Sequence, residues 1–171
     1  LTLLIVVLLM YLNTRSWTKT AIVMLALPFS AIGAMWYLHL AGFQMSVAVW
    51  VGLIALFGVD AETGVVMLLY LDIAYDKAVK ANLINSADDL KRAVIEGAAL
   101  RIRPKLMTVL VDIIGLTPIL IGTDSGNDVM KRIAAPLVGG MLTSLILELT
   151  VYPTIFYTIK MRKINTDNKL L

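Results

Sequence analysis

The 171-residue chain has no cysteine, a single histidine and little charge: Asp, Glu, Lys and Arg together make up 16% of it. Without cysteine there is no disulfide framework, no thiolate metal site and no covalent thiol chemistry. That absence leaves the redox compartment open, because a polytopic membrane protein need not carry cysteine. The shortage of charge argues against an ordinary soluble domain, which is nearer one quarter charged. With 59% hydrophobic residues, the bilayer is the expected solvent. Also missing are a nucleotide-binding loop, a metalloprotease motif and any nucleophile–base constellation. The expectation is therefore a non-enzyme, with no catalytic site and no resident cofactor. The opening run, LTLLIVVLLMYL at 1–12, lacks a basic n-region and a small-residue cleavage site, so it does not read as a signal peptide. It is also too short to cross a hydrocarbon core of roughly 30 Å. It is expected to be the second half of a transmembrane helix.

What is present is a series of long apolar runs. Hydropathy predicts four spans at roughly 20–39, 45–71, 105–122 and 133–159, each near the ~20 residues a bilayer requires. The fold class is therefore all-α, a polytopic membrane helix bundle of about five helices. The expected organisation is a helix end at 1–12, two spans within 13–71, a cytoplasmic loop at 72–104, two spans within 105–159 and a cytoplasmic tail at 160–171. Within the loop, Leu90, Ala93, Val94, Gly97, Ala98 and Ile102 recur near helical spacing. That pattern predicts an amphipathic helix along the membrane surface, capped by Ser86 or Asp88.

Orientation follows from the basic residues. If the 13–19 turn faces the cytoplasm, Arg15, Lys19, seven cations of the 77–105 segment and Lys160, Arg162, Lys163 and Lys169 share that side. That is thirteen of the fifteen Lys and Arg, as the positive-inside rule expects. Lys131 and Arg132 are the exceptions, at the outer surface. The basic balance thus reflects membrane orientation and gives no reason to expect nucleic acid as a partner. Trp17, Trp36 and Tyr11 near span ends fit an aromatic belt.

Four acids fall at membrane depth: Asp60, Glu62, Asp112 and Glu148. Each costs ~2.5–3.5 kcal/mol at a helix centre, and such residues normally face a bundle interior or a wet cavity. A single acid there serves equally as a structural hydrogen-bond acceptor or as a proton carrier; four together favour proton or ion traffic. Asp60 and Glu62, two residues apart, project roughly 200° apart and are not expected to share a role. Lys105, preceded by Pro104 at the expected helix start, reads as a snorkelling interface cation or as the counter-charge to these acids. Asp112 lies two turns deeper on roughly the same face. The nine methionines read as adaptable packing residues or as soft ligands for Cu(I)-like ions. His39 reads as an interfacial polar residue. Gly58, Gly64, Gly139 and Gly140 allow close helix approach.

The runs FGVDAETGVVMLLYL at 57–71 and LRIRPKLMTVLVDIIGLTPILIGTDSGNDVMKRIAAPLVGGM at 100–141 resemble the C-terminal membrane region of resistance-nodulation-division (RND) efflux pumps. The heavy-metal branch matches best, and A-E-x-G-V-V-M looks like its copper/silver type; divalent-metal pumps more often carry an uncharged residue where Glu62 stands. The resemblance implies the end of an eighth helix and helices nine to twelve of a proton-antiporting, homotrimeric inner-membrane pump. Its partners would be a periplasmic adaptor and an outer-membrane channel, and its substrate Cu(I) or Ag(I). It implies Glu62 and Lys105 as proton-relay residues and Met130 as a metal-relay methionine. Asp60, Asp112 and Glu148 depart from the branch pattern, and are additional proton-pathway candidates or drift. The fourth-helix aspartate, porter domain and three-methionine site of the family are not among these residues. Alternatives are an RND pump for divalent metals or organic compounds, or a non-transporting remnant of such a pump.

Overall fold

The computed structural model describes residues 2–81, 83, 87–123 and 126–167. Five helices account for nearly all of them: α1 (Thr2–Thr14), α2 (Trp17–Leu40), α3 (Val47–Lys80), α4 (Ala87–Ile121) and α5 (Asn127–Asp167). No strand occurs among the described residues. Four of the helices, all but α1, are long and apolar enough to cross a membrane.

Local chemistry sets several helix ends. Ser46 stands before α3 in extended conformation, and its hydroxyl accepts from the Val49 N–H at 3.5 Å, satisfying one of the first-turn donors. The turn after α2 places Gly42 at φ 71, a region that favours glycine. Between α4 and α5 the Asn127 amide donates to the Ile119 carbonyl at 3.0 Å, covering one of the carbonyls left open at a helix C-terminus.

The helices are longer than the predicted spans. At 1.5 Å per residue the 34 residues of α3 extend about 50 Å, well beyond the hydrocarbon core. The expected start of the fourth helix at Pro104 is corrected: Pro104 lies inside α4, which runs unbroken from Ala87. A proline is tolerated in membrane helices where neighbouring groups satisfy the freed backbone. The segment expected to lie along the membrane surface is thus the first half of α4. Its apolar stripe packs inward, with Leu90, Val94 and Ala98 in a core that includes Leu68, Leu71 and Phe156. Gly97 sits so close to α3 that a Cβ there would lie 2.8 Å from the Ala74 side chain. Ile102 departs from that stripe and is 38% exposed. Asp88 falls in the first turn of α4, while Ser86 lies outside the described residues.

α5 is the central element and packs against α2, α3 and α4, whereas α1 touches α2. The close α2–α5 approach depends on glycine: a Cβ on Gly139 would lie 2.9 Å from the Gly33 carbonyl. Large apolar side chains such as Phe29, Trp36, Trp50, Ile54, Val111 and Ile146 point outward, as a lipid-facing surface requires. Inside, the apolar core falls into two groups. One contains Ile22, Val23, Met67, Leu71, Tyr152 and Phe156; the other contains Ala34, Leu38, Val49, Leu56, Val109 and Met141. On each of the four long helices a short polar step separates these groups: Ser30 on α2, Asp60 and Thr63 on α3, Lys105 on α4, and Ser144 and Glu148 on α5.

Candidate functional site

That polar layer is the candidate site. Its centre is an ion pair between Lys105 Nζ and Glu148 Oε1 at 3.1 Å, with each side chain 3% exposed. Thr63 bridges the two: its hydroxyl accepts from the ammonium at 2.8 Å and donates to Glu148 Oε1 at 2.7 Å. Ser144, one turn before Glu148 on α5, donates to the same oxygen at 3.3 Å. One carboxylate oxygen therefore receives three hydrogen bonds, which is the condition for holding a charge away from water. Lys105 reaches this position because it shares a face of α4 with the buried Val109 one turn on.

Asp60 completes the layer under different conditions. It is 1% exposed and has Ser144, Ser30 and Lys105 as polar neighbours, yet neither carboxyl oxygen has a hydrogen-bond partner among the described residues. The two hydroxyls are committed elsewhere: Ser30 donates to the Leu27 carbonyl at 2.9 Å and Ser144 to Glu148. Tyr152 closes the layer one turn beyond Glu148; its buried hydroxyl also lacks a partner among the described residues. Gly64 makes room for it, since a Cβ there would lie 2.6 Å from the Tyr152 hydroxyl.

The predicted site residues separate into two groups. Asp60, Lys105 and Glu148 come together. Glu62 does not: it lies on the exposed face of α3, and Lys105 pairs with Glu148 instead. Asp60 and Glu62 point to different faces, as their two-residue spacing predicts. Asp112 is half-buried and takes no part in the ion pair. Met130 is 56% exposed in the first turns of α5. Among the described residues no group of three or more His, Asp or Glu side chains could hold a metal ion. Lys105, placed by the charge pattern among the loop cations, is buried inside the bundle. Thr63, Ser30, Ser144 and Tyr152 escape the sequence reading. The signal for two of them is the spacing Ser144, Glu148, Tyr152, which sets three polar groups on one stripe of an apolar helix.

A second ionic group joins the ends of three helices at the basic end of the bundle. Asp72 of α3 pairs with Lys19 of α2 and, at 3.7 Å, with Lys160 of α5. The Lys160 ammonium also lies 4.0 Å from the Tyr75 ring centroid. At the opposite end Arg132 donates to the Gln44 carbonyl at 3.3 Å. That contact puts the expected exception to the charge pattern beside the turn between α2 and α3.

A family model described as the AcrB/AcrD/AcrF family matches residues 1–160. The chain is 45% identical over 158 residues to the cation efflux system protein CusA of Escherichia coli K12, covering 91% of this chain and 15% of that protein. It is 44% identical over 165 residues to SilA of Salmonella typhimurium, covering 95% of this chain and 16% of that one. The fold superposes on the crystal structure of a heavy metal efflux pump with a TM-score of 0.75 and 33% identity, over 91% of this chain and 14% of that one. The chain thus spans about a sixth of the length of these curated relatives. By the match along nearly its whole length, it belongs to the AcrB/AcrD/AcrF family, the resistance-nodulation-division group that its motifs resemble.

Proposed function

We propose that this chain is the C-terminal membrane segment of a proton-driven pump that exports Cu(I) or Ag(I) across the envelope of a Gram-negative bacterium. The observation that carries the reading is Lys105, buried to 3% exposure beside a carboxylate in a helix long enough to cross a membrane. A lysine in that position is costly, and ionisable residues held at such depth mark ion and proton pathways. The relatives named for cation efflux supply the direction of transport, and the A-E-x-G-V-V-M motif supplies the monovalent metal. The pump works as a homotrimer in the inner membrane, with a periplasmic adaptor and an outer-membrane channel.

Chemically, the segment holds and releases protons. Lys105 is held by Glu148 while that carboxylate is charged. Glu62, on the open face of α3, takes protons arriving from the outer side; it faces away from Lys105 here, so exchange of charge with Lys105 requires α3 to turn about its axis. A proton added to a partner carboxyl removes the attraction that holds the ammonium. The change in pairing then shifts helix packing, and the shift is coupled to metal release. Met130, exposed near the outer end of α5, offers a thioether to the soft ion.

The experiment is copper and silver tolerance of cells expressing the full-length protein. Glu62→Gln and Lys105→Met are expected to abolish tolerance at normal expression, and Met130→Ile to reduce it. Wild-type tolerance in the first two variants overturns the relay. Tolerance to zinc or cobalt in place of copper overturns the substrate.

A further inference from the structure

The layer holds two acids and one base in an apolar surround, and the three do not balance. Lys105 and Glu148 satisfy each other through Thr63, as described. Asp60, 1% exposed, is left over. A buried ionised carboxylate that no protein group donates to is a costly arrangement.

The neighbouring hydroxyls make the imbalance specific. Ser30 and Ser144 have given their single protons to Leu27 and Glu148. While those bonds stand neither hydroxyl donates to Asp60, although both lie close enough to turn toward it. From α5, Glu148 adds negative charge and Tyr152 a hydroxyl; from α2, only the neutral Ser30 faces Asp60. From α4, Lys105 acts on it at a distance and forms no ion pair with it. Burial, the absence of a protein donor on either oxygen and the charge of Glu148 favour the carboxylic acid; Lys105, already held by Glu148, is the one charge that favours the anion.

We propose that Asp60, Lys105 and Glu148 form a one-proton site in which Lys105 and Glu148 are charged and the proton sits on Asp60. A hydronium ion gives one proton to an Asp60 carboxyl oxygen: one hydronium O–H bond breaks, one carboxyl O–H bond forms, water is left, and the site becomes neutral. Release of that proton restores the anion opposite Lys105. The ammonium makes two of its three possible hydrogen bonds, to Thr63 and Glu148, and its third N–H then turns to Asp60. Proton occupancy at Asp60 thus decides whether Lys105 belongs to Glu148 alone or is shared. The site is built from α3, α4 and α5 and stands independently of Glu62. It also stands independently of the metal that the pump carries.

The test is infrared spectroscopy of the full-length protein in lipid at neutral pH, following the protonated-carboxyl stretch and its shift on exchange into deuterium oxide. Asp60→Asn is expected to remove one such band, and Glu62→Gln to leave it in place. Charge balance makes a further demand on Glu148→Gln: with Glu148 neutral, Lys105 pairs with Asp60, so the Asp60 band disappears although Asp60 is intact. Lys105→Met is expected to add a second band, because neither acid retains a counter-charge. A spectrum unchanged by Asp60→Asn, or a band that survives Glu148→Gln, overturns the proposal. So does release of the proton by sodium ions, which would make the site a metal-cation site. Loss of metal tolerance in Glu62→Gln with the Asp60 band intact bears on transport alone, so failure of the two readings can be told apart.

Discussion

At the residue scale, the polar layer works by matching donors to acceptors one atom at a time. Glu148 Oε1 collects donors from Lys105, Thr63 and Ser144. Removing one member of a buried pair leaves the other uncompensated, at a cost of about 3–5 kcal/mol. Lys105→Met should therefore lower the thermal stability of the detergent-solubilised protein by several degrees. Adding Glu148→Leu to it should recover most of the loss, because no charge then remains stranded. Unfolding followed by size-exclusion fluorescence would check this, and equal instability of the single and double variants would contradict it. The acids and the lysine are legible in the sequence because charge is rare in apolar runs. Their pairing is not. Glu148 stands 43 residues from Lys105 in the chain, and only the packing of α4 on α5 brings them together. Glu62 carries the stronger motif, yet it faces outward, because the helical angle between it and Asp60 allows only one of them into the core.

At the element scale, small residues set the helix spacing. Gly64 leaves room for the Tyr152 hydroxyl, and Gly139 lies against the backbone of α2. Crowding such a position costs about 1–3 kcal/mol. Gly139→Leu should force α2 from α5 and lower stability by that amount, whereas Gly58→Leu should cost little, since nothing lies within 4 Å of a Cβ there. Paired melting curves of the two variants would check the contrast. The existence of four long helices is readable from hydropathy alone, since ~20 apolar residues suffice to mark each. Their lengths are not. Polar residues at 72–80 and 88–103 stay helical because the two helix extensions pack on each other, as Gly97 against Tyr70 and Ala74 shows. Hydropathy registers the solvent of a segment, and these extensions turn polar without leaving the bundle.

At the scale of the whole molecule, the charges divide by end. Asp72 gathers Lys19 and Lys160 at the end that also carries Arg15, Lys77 and Lys80, while the opposite end offers Lys131 and Arg132. The positive-inside rule assigns the first end to the cytoplasm. Because this chain has no native cysteine, single cysteines in it can be followed against a clean background within the segment. Gln44→Cys is expected to react with an impermeant maleimide from the periplasmic side and Ala81→Cys only after the membrane is opened; the reverse pattern would invert the topology. The polar layer has a further consequence for assembly. Apolar helices in lipid can slide along one another with little change in contact energy, since one leucine row resembles the next. A lysine that finds its carboxylate at one axial position, with a threonine from a third helix between them, cannot slide by a turn without stranding both charges. The layer therefore acts as an alignment pin: it selects the correct stagger of α3, α4 and α5 as the bundle forms, whatever protons it carries afterwards.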